Sequence, residues 1–114
     1  SKAETHFINN KEEKDYTIFV GKNNHQNDYI VSKIAKDEDL WFHTKDCAGS
    51  HVLLRAENVT DEVILRCAKL AKEFSKGAKS SKIGVIYTRA KYLKKPPKAN
   101  LGYVTYKCEK EIVI

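Results

Sequence analysis

Short runs of β-branched, aromatic and aliphatic residues divide most of the chain into candidate strands, and each run is bounded by glycine or polar residues. Such runs favour β-structure. The pattern predicts strands at 17–21, 40–44, 50–55 and 83–88, followed by a closing hairpin of 103–108 with 111–114. Residues 6–8 are expected to pair with the first of these strands, and the polar residues 9–15 between them to form a hairpin loop.

Two further stretches have the apolar spacing of amphipathic helices. The first is 24–35, with Asn23 or Asn24 as the N-cap, because an asparagine side-chain oxygen can accept from an unpaired backbone N–H. The second is 61–74, which follows a threonine that can serve as a cap. Its buried stripe is expected to consist of Ile64, Cys67, Ala68, Ala71 and Phe74.

These elements together predict an α+β fold: a mostly antiparallel sheet of short strands with two packed helices, in a single domain over 1–114. Trp41 and Phe42 are neighbours in one strand and therefore point to opposite faces of the sheet. We expect one of them to lie in the core and the other to be partly exposed.

The net charge of +6 is unevenly distributed along the 114 residues. Residues 1–65 carry 8 Lys/Arg and 12 Asp/Glu, a net charge of −4, whereas residues 66–114 carry 13 Lys/Arg and 3 Asp/Glu, a net charge of +10. A basic half of this kind favours a polyanionic partner, with nucleic acid as the first candidate.

No apolar run approaches the roughly 20 residues that cross a bilayer, so no membrane partner is expected. The polar N-terminus SKAETHF lacks the apolar segment of a signal peptide, and the three cysteines are too widely spaced to indicate a disulfide framework. These features predict a cytoplasmic location. The absence of any methionine favours a domain that belongs to a larger multidomain protein.

Two kinds of reactive site can be drawn around the turn that contains Gly49. His43, Cys47 and His51 are zinc-ligand types spaced by four residues, but a structural zinc site needs four close ligands, and we expect neither metal nor cofactor. An enzyme acting on RNA with His43, Asp46 and His51 as acid–base groups is an alternative. Because no specific catalytic motif accompanies them, a non-enzymatic role is preferred.

Lysines concentrate in the proline-containing loop RAKYLKKPPKANLG, residues 89–102. Lys94, Lys95 and Lys98 are suited to phosphates, and the neighbouring Tyr92 is suited to stacking on an unpaired base. A second polar stretch, GKNNHQND, spans residues 21–28 and has no apolar member. One of its asparagines is explained by helix capping. The other amides are suited to phosphates, 2′-hydroxyls or base edges.

Three stretches in order resemble one known family: GKNNHQND, DLWFHTKDCAGSHVLLR and VIYTRAKYLKKPPKANLGYVTY. They resemble NFACT-R, an RNA-binding domain in the C-terminal part of RqcH and NEMF proteins, and the similarity extends over 16–114. The chain departs from the family pattern at Ala48 and Leu101, where the family usually has proline. These departures affect loop rigidity more than binding groups.

The resemblance implies a role in ribosome-associated quality control, in which such proteins support C-terminal tailing of stalled nascent chains. The implied partners are tRNA, the large ribosomal subunit with peptidyl-tRNA, and other domains of the same parent protein. Some bacterial relatives carry a fibronectin-binding label, so a protein-binding adhesion module is a further alternative. The predicted RNA-binding residues are Lys22, Asn23, Asn24, Asn27, Trp41, His43, Lys45, Ser50, His51, Tyr92, Lys94, Lys95 and Lys98.

Overall fold

Antiparallel strands form one sheet, with helical segments on both of its faces. The computed structural model describes residues 9–13 and 16–114. In that part of the chain the strands are β1 (Asn9–Glu13), β2 (Tyr16–Val20), β3 (Leu40–Thr44), β4 (Val52–Ala56), β5 (Gly84–Arg89) and β6 (Lys110–Val113). Their order across the sheet is β1-β2-β4-β3-β5-β6. The predicted α+β class with a mostly antiparallel sheet is confirmed.

The helical segments are α1 (Asn24–Tyr29), a π-helical turn (Ile30–Ile34), α2 (Asp61–Glu73) and a 3-10 turn (Ala90–Tyr92). Asn23 caps α1, as predicted, and accepts a hydrogen bond of 2.8 Å from the backbone N–H of Gln26. Thr60 caps α2 in the same way. The single α-helix predicted over 24–35 is wrong in its second half. There the backbone N–H groups bond to carbonyls five residues back, as in a π-helix, and not four. Apolar spacing does not distinguish the two kinds of turn, since both keep the apolar side chains on the sheet.

Both faces of the sheet are buried. Phe42 is fully buried on the face that α2 covers, and Trp41 is 2% exposed on the opposite face, where Ile30 of the π-helical turn packs. The expectation that one of the two aromatic residues is partly exposed is therefore wrong. A strand covered on both sides reads as a continuous apolar run, and the Val-Leu-Leu start of β4 has this character.

At the N-terminal edge, Asn9–Glu13 is a strand that pairs antiparallel with β2, from Asn9 opposite Val20 to Glu13 opposite Tyr16. The loop predicted over 9–15 is therefore wrong. An edge strand is held by backbone hydrogen bonds and needs no apolar residues, so its polar composition is no guide. The pairing expected for 6–8 lies outside the described residues.

The predicted hairpin of 103–108 with 111–114 is also wrong. β6 pairs with β5, from Gly84 opposite Val113 to Tyr87 opposite Lys110. Residues 103–108 are irregular, with one isolated bridge between Lys94 and Thr105. The chain adopts positive φ at Gly102 and at Cys108, on either side of the irregular residues. No helix in the described residues is long and apolar enough to cross a membrane.

Candidate nucleic-acid interface

The polar stretch 21–28 chiefly braces the fold. Asn27 is 6% exposed; its side-chain oxygen accepts from the backbone N–H of His51 at 2.9 Å, and its amide nitrogen donates to the Gly49 carbonyl. Gly21 donates its backbone N–H to the His51 carbonyl, and a Cβ at Gly21 would collide with the Asn27 side chain. The glycine therefore lets α1 approach the turn before β4.

The same stretch fixes the basic loop. Asp28 accepts a hydrogen bond of 3.0 Å from the backbone N–H of Gly102 and forms an ion pair with Lys95. These contacts, together with a weaker one from Ser32, lower the pKa of Asp28 although its partial burial acts to raise it. Gly102 has a φ of +82°, a conformation that glycine adopts without strain. The residues that follow it are thereby held against α1.

An open pocket of about 360 Å³ lies on the Trp41 face of the sheet. We call it the aromatic pocket and define it by the ring-bearing side chains Trp41, His43, His51, Tyr103 and Tyr106. The rings of Trp41 and His43 are stacked, with centroids 5.8 Å apart, and His51 meets both of them edge to face. Tyr106 lies 5.7 Å from Trp41 and remains 39% exposed.

Burial keeps both imidazoles of the pocket neutral at neutral pH. Desolvation lowers the pKa of His51 to about 3, and the nearby His43 ring adds to the shift. Desolvation also lowers the pKa of His43, against hydrogen bonding to backbone carbonyls. A neutral imidazole has one donor and one acceptor nitrogen. Neither ring therefore adds positive charge to the pocket.

A second depression adjoins the first. We call it the lysine cleft; it is lined by Lys91, Tyr92, Lys94, Tyr106 and Lys107, together with two smaller side chains. The Nζ atoms of Lys91 and Lys107 lie 5.5 and 5.9 Å from the centre of the Tyr92 ring. Tyr106 also lines the aromatic pocket, so the two depressions are neighbours on one surface.

The remaining predicted lysines differ in their surroundings. Lys45 is exposed at the rim of the aromatic pocket and forms a 3.1 Å ion pair with Glu111. Lys22 lies over the Phe74 ring in a neighbouring depression. Lys98 is exposed and has a φ of 61°. Lys95 is engaged with Asp28.

Two predicted amides and a hydroxyl are also placed by the structure. Asn24 is exposed and lines the aromatic pocket, whereas Asn23 is occupied in capping α1. Ser50 is 4% exposed, and its backbone N–H donates to the Phe74 carbonyl. Asn24 is thus the amide best placed to meet a ligand, while Ser50 belongs to the packed interior.

Sequence reasoning missed Tyr103, Tyr106 and Lys107, because it placed them in a strand. Tyr103 is 55% exposed, the most exposed aromatic side chain among the described residues. The available signal was composition: two tyrosines and a lysine within five residues beside the basic loop. Aromatic residues interleaved with lysines are typical of single-stranded nucleic-acid binding.

The structure does not bring together the three groups of the enzymatic alternative. The ring centroids of His43 and His51 are 5.0 Å apart, but Asp46 is exposed, and among the described residues no hydrogen bond or ion pair joins it to either ring. In the same part of the chain, no three His, Cys, Asp or Glu side chains cluster as metal ligands would.

Comparison with known proteins identifies the family. The family model described as the NFACT protein RNA binding domain matches residues 5–107. The chain belongs to the NFACT RNA-binding domain family. The resemblance inferred from the three sequence stretches is confirmed.

Several relatives of this NFACT domain are curated proteins. This chain is 42% identical over 98 residues to the Rqc2 homolog RqcH of Bacillus subtilis. The match covers 86% of this chain but 17% of that protein. The chain is 33% identical over 106 residues to Coiled-coil domain-containing protein 25 of Bos taurus, with 87% of this chain and 50% of the relative covered. The chain thus spans a sixth to a half of the length of these relatives.

A solved structure has the same fold. It is titled as the C-terminal of the fibronectin/fibrinogen-binding protein from Streptococcus suis, and it matches with a TM-score of 0.83 and 39% sequence identity. The match covers 91% of this chain and 46% of that one. The fold described above is therefore that of an experimentally determined relative.

Proposed function

We propose that this NFACT domain is a non-catalytic module that binds RNA through the lysine cleft and the adjoining aromatic pocket. The observation that carries the proposal is the placement of lysines around a partly exposed tyrosine, beside a pocket with aromatic walls. Lysines neutralise phosphates, and aromatic rings stack on unpaired bases. Family membership supports the same ligand class.

Charge distribution within the cleft supports a polyanion. Lys91 is paired with Glu38 at 2.9 Å, but Lys94 and Lys107 form no ion pair with any described residue. No acidic side chain lines either the cleft or the aromatic pocket in the described part of the chain. An anionic backbone can therefore reach Lys94 and Lys107 without displacing a carboxylate already paired with them.

The ligand that we propose is tRNA, bound as part of a factor of the RqcH type. The relatives named RqcH support this setting. In that role the domain would act in the cytoplasm, at a large ribosomal subunit with peptidyl-tRNA, beside other domains of its parent protein and in support of tailing of stalled chains. Lys22, Lys45 and Lys98 would extend the phosphate contacts beyond the cleft, with Asn24 reaching a sugar or base.

The test is a titration of labelled bulk tRNA with the chain at about 50 and 200 mM salt, the range over which phosphate contacts are strongly screened. The variant is Lys94→Ala/Lys107→Ala. The charge-matched control is Lys69→Ala/Lys82→Ala. Lys69 lies on α2, on the other side of the sheet, and Lys82 lies just before the start of β5, whereas the cleft residue Lys91 follows its end. Both control lysines are exposed.

We expect the cleft variant to bind tRNA more weakly than the wild type at about 50 mM salt. The negative slope of log affinity against log salt should become shallower by roughly 1.4 to 1.8, since each of the two lost phosphate contacts contributes roughly 0.7 to 0.9 to its steepness. The control should behave as the wild type does. An unchanged slope in the cleft variant would contradict the proposal.

Shortened tRNA after incubation would instead favour the enzymatic alternative. Salt-insensitive binding of fibronectin without tRNA binding would favour the adhesion module.

A further inference from the structure

The aromatic pocket and the lysine cleft share one wall. Tyr106 lines both depressions, and the bridge between Lys94 and Thr105 holds the segment that carries Tyr103 and Tyr106 against the basic loop. The backbone N–H and carbonyl of Lys94 both pair with Thr105, at 2.9 and 2.7 Å. A nucleotide with its phosphate in the cleft therefore has the pocket within reach of its base.

The walls of the pocket are suited to a flat, neutral, aromatic ligand. Tyr103 and Tyr106 present exposed rings at its mouth, and Trp41 with His43 forms a stacked pair behind them. Lys45 is the one cation among its described lining residues, and it is already paired with Glu111. A phosphate would find little charge here, whereas a base would find surfaces on which to stack.

Two polar nitrogens of the pocket residues lack partners. Trp41 Nε1 and His51 Nδ1 are buried and make no hydrogen bond within the described chain. Buried polar groups are almost always paired, and leaving one unpaired is destabilising. Both atoms are closed off from the pocket's open space. Either atom could therefore bond to a ligand only if its own ring reoriented on binding.

We propose that the aromatic pocket holds one unpaired nucleobase of the bound RNA, while the phosphates beside that base lie along the lysine cleft. The inference rests on the proposed function and adds that the domain reads an extruded base as well as backbone charge. The base stacks on Tyr106 and Tyr103, and its polar edge faces the neutral imidazole of His43.

The test compares two octamers with equal numbers of phosphates: an oligoriboadenylate, and the same ribose-phosphate chain without bases. We expect the adenylate to bind the 114-residue chain about tenfold more tightly, since stacking of a base on an aromatic side chain has an effect of that order. Trp41 is the only tryptophan of the chain, so its fluorescence reports on the pocket directly. It should change with the adenylate and not with the abasic octamer.

Two variants separate the pocket from the cleft. Tyr103→Leu alters an exposed side chain that lines the pocket and not the cleft, so we expect it to fold, to bind the abasic octamer as the wild type does and to reduce the preference for the adenylate. Lys94→Ala/Lys107→Ala should weaken binding of both octamers by the same factor. Equal wild-type affinity for the two octamers, with tRNA still bound, would overturn the base pocket alone. Failure of tRNA and both octamers to bind would overturn the proposed function as well.

Discussion

The side-chain oxygen of Asn27 accepts a 2.9 Å hydrogen bond from the backbone N–H of His51, 24 positions further along the chain. This contact joins α1 to the turn that precedes β4 and fixes where the His51 ring stands relative to Trp41. A residue that looks like a ligand-binding amide in the sequence thus acts on the pocket from behind, by positioning one of its walls.

Replacing Asn27 with alanine should lower the free energy of unfolding by about 1 to 3 kcal/mol, because it leaves the buried N–H of His51 without an acceptor. Urea denaturation measures the loss. Asn24→Ala is the matched control, since Asn24 lies in the same helix but is exposed. Equal losses in the two variants would contradict a specific role for the contact with His51, since alanine has the higher helix propensity at both positions.

Asp39 and Arg55 form a forked ion pair, with Arg55 Nε and Nη2 donating to the two carboxylate oxygens at 3.1 and 2.7 Å. Asp39 is 5% exposed, so Arg55→Leu leaves a buried carboxylate without its partner. We expect a loss of about 2 kcal/mol in stability, and less than the sum of the single losses in Arg55→Leu/Asp39→Leu.

A double-mutant cycle in urea measures that coupling. The comparison pair is Lys45 and Glu111, which is exposed on both sides and should show much weaker coupling because water screens it. Arg55→Lys should recover only part of the loss, because lysine cannot make the fork. Strict additivity of the Arg55 and Asp39 variants would show that the pair does not act as a unit.

Stability should fall as the pH drops below the ordinary histidine pKa of 6.5, because burial holds the pKa of folded His51 at about 3. Between these values the unfolded chain binds a proton that the folded chain does not. His51 therefore stabilises the fold fully above pH 6.5, and its contribution is lost towards pH 3, by about 1.4 kcal/mol per pH unit once the unfolded histidine is charged.

Denaturation at pH 7, 6 and 5 in wild type and His51→Gln tests this dependence, since the glutamine does not titrate. We expect the difference in stability between the two proteins to narrow as the pH falls. A constant difference between wild type and His51→Gln would show that His51 is protonated alike in both states.

Gly102→Ala should destabilise the segment that carries Tyr103 and Tyr106. Its φ of +82° costs an L-residue about 1 to 2 kcal/mol, and the added Cβ would lie 3.3 Å from Cβ of Asn27. We expect faster amide hydrogen exchange in residues 101–106 and weaker RNA binding. Gly102→Asn should be milder, because asparagine tolerates positive φ better. Equal effects of both substitutions would point to the added bulk near Asn27 as the cause.

The sequence by itself determined the local features of this protein. The cap at Asn23, the central strands and the extent of α2 depend on neighbours within a few positions, where propensity and capping act. The α+β class follows from the order of these elements. The family is likewise readable from three short stretches, because their spacing is a property of the chain.

Tertiary structure alone decided which side chains meet. Trp41 is buried because a π-helical turn covers the second face of the sheet, and Tyr106 reaches it because β6 pairs with β5 and releases residues 103–108 from the sheet. Asn27, which seemed free to bind, is held by backbone groups more than 20 positions away. Such pairings depend on how distant segments pack, and no periodicity within one segment encodes them.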